Sequence, residues 1–164
     1  MLTTLLLWPY AHVQFGRPVD QDLERVYAFI AGLPKDTLVA AHPTLADDVP
    51  LRSRRSVLTS TETAQPWLRD YYRIVKPRIE ASLRAAYAID IAEVDAQLLP
   101  YGVDVFVTGP MVWEQTSYHE PYNRDFVQEL LARGRERGFA LRHPPPDRVL
   151  FRSGEYYVLR VGGG

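Results

Sequence analysis

The sequence predicts an α/β fold: a small three-layer domain with a short, mainly parallel sheet, flanking helices and a C-terminal antiparallel β-hairpin. Three observations carry this. Short apolar runs at residues 37–41, 56–58 and 103–108 alternate with segments whose apolar residues recur every three or four positions, the strand-and-helix alternation that a parallel sheet requires. The 34 residues of 66–99, between the second and third runs, can pass over the sheet as a parallel return must. Finally, residues 148–152 and 156–161 are joined through a Ser153-Gly154 turn, a connection that permits only an antiparallel reversal.

Asp20 opens the first helix, with Leu23, Val26, Tyr27, Ile30 and Leu33 on one face and Gly32 and Pro34 ending it. After the strand at 37–41, His42 and Pro43 stop the run, Thr44 is expected to cap one helical turn through Ala46, and Asp47 and Asp48 follow on a loop. A charged loop with Arg52, Arg54 and Arg55 enters the strand at 56–58, and Thr59, Ser60, Thr61 and Glu62 leave its carboxyl end. Leu68, Tyr72, Val75, Ile79, Leu83 and Tyr87 mark a long amphipathic helix bent at Pro77. Its other face carries Arg69, Arg73, Lys76, Glu80 and Arg84, with Lys76–Glu80 and Glu80–Arg84 at ion-pair spacing; it reads as a solvated face, an anionic-membrane contact being the alternative. Asp90 with Glu93 resembles a capping box for a helix that Pro100 and Gly102 end. A helix is expected over 124–137, with Phe126, Val127, Leu130 and Leu131 toward the sheet.

The 164 residues suit one domain, assigned to 19–164, preceded by an apolar segment, 1–18. Residues 1–15 hold no Asp, Glu, Lys or Arg. The apolar run 2–9 is too short to span a bilayer and lacks a signal peptide's basic start and cleavage site. It reads as an ordinary first strand, as a fraying terminus or as the end of a membrane helix belonging to a longer protein, and it is expected to be peripheral to the core. A chain without cysteine has no disulfide, thiol nucleophile or thiolate metal site. The net charge of -1 lacks the positive excess of a general nucleic-acid binder, so no nucleic-acid partner is expected.

Ligands of open parallel sheets sit beyond the strand carboxyl ends, where the sequence puts His42, then Ser60 and Glu62, then Thr108. With Asp47, Asp48, Arg52, Arg54 and Arg55 these residues form a candidate crevice for a glycan or an anion; arginine's planar fork suits both carboxylate and phosphate. The same residue types also serve as turn formers, caps and loop ion pairs, and opposite charges at Asp47, Asp48, Arg52, Arg54, Arg55 and Glu62 offer one another partners as a clasp around the second strand. No G-x-S-x-G elbow, Walker loop or G-x-G-x-x-G occurs, and the histidines lack the i,i+4 spacing of a helical metal site. No cofactor, metal or catalytic residue is therefore expected.

The segments Leu33-Pro-Lys-Asp-Thr-Leu-Val-Ala-Ala41, Ala46-Asp47-Asp48-Val-Pro-Leu51, Arg55-Ser-Val-Leu-Thr followed by Glu62, and Tyr101-Gly-Val-Asp104 stand in an order that resembles a known family pattern. It is that of the soluble C-terminal domain following the last membrane helix of bacterial multi-pass proteins, some of them similar to lipid-linked-sugar glycosyltransferases. The resemblance spans about residues 20–161. It implies that catalytic carboxylates lie in a membrane portion, that this chain carries an extramembrane accessory or binding domain, and that the run 2–9 ends a membrane helix. The alternative is a small stand-alone hydrolase-like enzyme working at the strand ends.

Overall fold

The computed structural model describes residues 20–114 and 124–163. Helix α1 (Gln21–Ala31) starts where Asp20 caps it, the Asp20 carboxylate accepting from Asp22 N at 3.0 Å and Leu23 N at 3.2 Å, so two amides at the helix start are satisfied. Strand β1 (Leu38–Ala41) follows, then two short helical turns, α2 (Pro43–Ala46) and α3 (Val49–Ser53), and strand β2 (Ser56–Val57). The long helix α4 (Arg69–Ala86) and α5 (Ile91–Leu98) lead to β3 (Val105–Thr108), after which come α6 (Pro110–Trp113), α7 (Arg124–Arg137), β4 (Val149–Ser153) and β5 (Tyr156–Arg160).

The strands make one sheet in the order β2-β1-β3-β5-β4. β1 pairs in parallel with both β2 and β3, whereas β5 runs antiparallel to β3 and β4. Side-chain alternation splits the core into two layers. Val39, Ala41, Val105, Val107 and Val158 point to α1, packing on its Val26, Tyr27 and Ile30 and on Leu45 and Val49. Ala40, Phe106 and Leu159 point to the opposite face, against Ile79 and Leu83 of α4, Leu98 of α5 and Val127 and Leu131 of α7. β1 and β3, apolar on both faces, are thus covered on both sides, as interior parallel strands must be.

Several local details differ from the sequence expectations. The turn before Asp47 is capped by His42, whose Nδ1 accepts from Thr44 N at 3.3 Å, and not by Thr44; Pro43, fixed in φ and without an N–H, suits the first helical position and puts the cap two residues earlier, on His42. The stretch before β2 is a helical turn rather than a loop, ended by Arg54 in the left-handed region at φ 54°. Ser153 pairs with Tyr156, so the hairpin turns on Gly154-Glu155, with Gly154 at φ 56°. Glu93 accepts from Ile89 N at 3.3 Å, one residue before the capping-box position, while Asp90 caps Ala92. Lys76 pairs with Glu80 at 3.7 Å, but Arg84 lies over the Phe126 ring at 4.6 Å. Leu68, expected on the core stripe, is 49% exposed. The apolar segment 1–18 and the loop aromatics Tyr118, His119 and Tyr122 lie outside the described residues.

Candidate functional site

The parallel pairing fixes what meets at the strand carboxyl ends. Ala41 is in register with Val107 and Val39 with Val57, so His42, Thr108 and the chain from Thr59 leave neighbouring strands side by side. These groups are enclosed: His42 and Thr108 are 0% exposed, and Thr59 and Ser60 are buried too. The His42 ring meets Tyr87 edge-on, with centroids 5.7 Å apart and an interplanar angle of 78°. Burial pushes its imidazole down to about pKa 4, because charging it there forfeits hydration. Since Nδ1 accepts from Thr44 N, the neutral ring carries its proton on Nε2.

The turn leaving β2 closes on itself. Thr63 Oγ1 donates to Ser60 O at 2.9 Å and accepts from Ser60 N at 3.0 Å, while Ser60 Oγ accepts from Thr63 N at 3.4 Å. Asp47 holds this turn from outside: its carboxylate accepts from Thr61 N at 2.7 Å, from Glu62 N at 3.4 Å and from the Thr61 hydroxyl. These bonds tie the segment after α2 to the loop after β2. Glu62 and Asp48 are exposed and form no ion pair among the described residues. The Thr108 hydroxyl is buried without a hydrogen-bond partner among those residues.

The three arginines stand elsewhere. They precede β2, and the strand's direction sends them to its amino end, away from Ser60 and Thr108. Arg55 lies against the end of α1, donating from Nη2 to Ala31 O at 2.7 Å and to Leu33 O, and from Nη1 to Ser53 O at 3.2 Å and Arg54 O at 3.0 Å. It thereby engages orphan carbonyls that a helix end leaves. Arg52 pairs with Glu24 of α1 and lies 5.8 Å from the Tyr27 ring centroid, whereas Arg54 is exposed. The clasp expected from opposite charges is therefore replaced by two separate devices: Asp47 bonds to backbone amides and Arg55 to carbonyls, and among the described residues no acid of that set pairs with an arginine of it.

The structure thus brings His42, Ser60 and Thr108 to neighbouring strand ends, keeps Asp47 beside Ser60 through the Thr61 clamp, and separates Arg52, Arg54 and Arg55 from them. A recess of about 680 Å³ opens at the opposite, amino ends of β1 and β3, lined by Leu33, Leu99, Val103, Asp104, Leu150 and Arg160 among others. Its Asp104 carboxylate accepts from Leu38 N at 2.8 Å. The strand-end rule points away from that recess, and its mostly aliphatic wall offers little chemistry. Sequence spacing missed Tyr87, which reads as one more core position although it forms the wall against His42. Among the described residues, no three His, Asp or Glu side chains are grouped to hold a metal ion.

Fold and site together define a class: a three-layer α/β domain whose strand-end polar groups are largely bonded to one another and to the backbone. The chain is similar in fold to the C-terminal globular domain of an oligosaccharyltransferase from Archaeoglobus fulgidus, with a TM-score of 0.52 at 9% identity, covering 89% of this chain and 100% of that one. No protein-family profile and no curated protein matches the sequence. Among the described residues no helix is long and apolar enough to cross a membrane.

Proposed function

We propose that this chain is a non-catalytic extramembrane accessory domain of a glycosylation-related membrane protein, attached to or working beside a membrane-embedded portion that carries the chemistry. The observation that carries the reading is the fold likeness to an oligosaccharyltransferase's C-terminal globular domain across 89% of the chain. The ordered motifs from Leu33 to Asp104 point the same way. So does the use of the polar residues: Asp47, Arg52 and Arg55 are engaged in internal bonds, and His42 is enclosed and neutral at pH 7. Groups spent in this way fix loops; they are not poised to take or give a proton to a ligand. Any ligand is expected to be a glycan or an anion.

The test is a screen of the purified chain against glycosides, phosphoesters and esters, beside Glu62→Gln and Asp47→Asn. The accessory-domain reading expects no turnover in any of them. Hydrolysis that disappears in either variant with the fold retained overturns it and makes the strand ends an active site. The buried Thr108 hydroxyl, which has no hydrogen-bond partner among the described residues, favours this second reading.

A further inference from the structure

Apolar residues are unevenly exposed on this domain. Trp67 is 72% exposed, Leu68 49%, Tyr71 39% and Ile74 63%, four large side chains within eight residues at the head of α4. Scattered exposed apolar residues need no explanation, but a cluster does. The helix itself is firmly seated through Val75, Ile79 and Leu83, so these side chains are not spare core. Trp67 and Tyr71 belong to the two residue types that settle where apolar and aqueous phases meet, because each joins an apolar body to a polar tip.

Charge identifies the partner. Between residues 69 and 80 stand Arg69, Arg73, Lys76 and Arg78 against Asp70 and Glu80, in a chain of net charge -1. Asp70 pairs with Arg73 at 3.4 Å and Glu80 with Lys76 at 3.7 Å. Arg69 and Arg78 form no ion pair among the described residues: Arg69 stands at the helix start, and Arg78 continues the row of Tyr71 and Ile74 one turn further on. Arg69 also walls a shallow hollow of about 490 Å³ beside Trp67 and Tyr71, open to a headgroup from outside. An apolar row with an unpaired cation near its start and another at its far end complements an anionic lipid surface, apolar groups entering the interface and arginines meeting phosphates. Two copies of this chain joined through the same face would bring like charges together.

We propose that the head of α4 is a membrane-surface contact, with Trp67, Leu68, Tyr71 and Ile74 entering the interface of an anionic bilayer and Arg69 and Arg78 engaging lipid phosphates. This goes beyond the accessory-domain reading, which needs no lipid contact here, and the two fail separately: turnover overturns that reading, absent vesicle binding this one. The test is co-sedimentation of the full chain with phosphatidylcholine vesicles, with and without one quarter phosphatidylglycerol. Wild type runs beside Trp67→Ala/Ile74→Glu and Arg69→Glu/Arg78→Glu, with folding checked by circular dichroism. Wild type should bind the anionic vesicles, each double variant should bind at least about tenfold more weakly, and salt should weaken the wild-type binding. Three results overturn the proposal: no binding by wild type, binding undiminished in both variants, or a lipid-independent dimer that Trp67→Ala/Ile74→Glu dissociates.

Discussion

Lowering the pH should destabilise this domain through His42. The imidazole is enclosed against Tyr87, and its acidity is pushed to about pKa 4 by burial, while in the unfolded chain it returns to 6.5. Between those values the unfolded state binds a proton that the folded state refuses, so stability falls as pH falls through this window and levels off below about 4. From pH 7.5 to pH 5 the expected loss from this one group is about 2 kcal/mol. Protonation at Nδ1 would also displace the Thr44 amide, which donates there at 3.3 Å. The assay is urea unfolding followed by far-ultraviolet circular dichroism at a series of pH values, run on wild type and on His42→Gln, which offers an amide oxygen as acceptor in place of Nδ1 but cannot titrate. Other titrating groups are common to both proteins, so the difference between the two pH profiles isolates His42. The pH-dependent part of the difference should grow as pH falls from 7, level off below about pH 4 and be absent above pH 7. Parallel profiles for wild type and variant between pH 4 and 7 would refute the reasoning.

Further expectations follow from the same contacts. Asp47→Ala leaves the amide of Thr61 and the Thr61 hydroxyl without their acceptor and should cost about 1–3 kcal/mol in chemical denaturation, with hydrogen exchange rising at residues 60–63. Arg148 and Asp95 form a mostly buried bidentate pair, at 2.7 Å and 3.3 Å, and Asp95 also accepts from Gly162 N at 2.8 Å. Arg148→Met and Asp95→Asn should each lower the melting temperature, and their combination should cost less than the sum. Gly134→Ala, which helix propensity alone would make stabilising, should destabilise by about 1–3 kcal/mol, because a Cβ there would lie 1.9 Å from Phe139 Cε1. Arg55→Lys should destabilise measurably although the charge is kept, since a point-like ammonium cannot reach the four carbonyls that the planar fork serves.

What could be foreseen from the sequence was whatever a local rule decides. Asp20 as a cap, the helix Arg124–Arg137 and the alternation in β3 are set by neighbours within a few positions. The closing hairpin was legible too, but its turn fell one residue late, because Gly154 rather than Ser153 takes the left-handed position. α3 was missed for a similar reason: five residues containing proline and arginine carry no periodicity to detect. The candidate site suffered most. Arg55 and Ser60 are five residues apart, yet the strand between them runs past the middle of the sheet edge and sends one to each end. Which end a residue occupies is a property of pairing direction, and pairing between β1 and β3 joins residues 66 positions apart in the chain. Likewise, nothing local foretold that β5 would lie beside β3 or that Tyr87 would wall in His42.

Both margins of the sheet bear on how the domain behaves in a crowded solution. An uncovered strand offers a row of free amides and carbonyls, onto which a foreign strand can add and start an aggregate. Here one margin, β2, pairs through only two residues and is preceded by the exposed Arg54. The other, β4, has a register break between Val149 and Phe151 that puts Leu150 out of step, and the exposed Arg152 follows. A bulge bends and twists its strand, and a charge resists stacking. The described sheet therefore presents no long, straight, neutral border, and its five strands end in margins ill-suited to templating another chain.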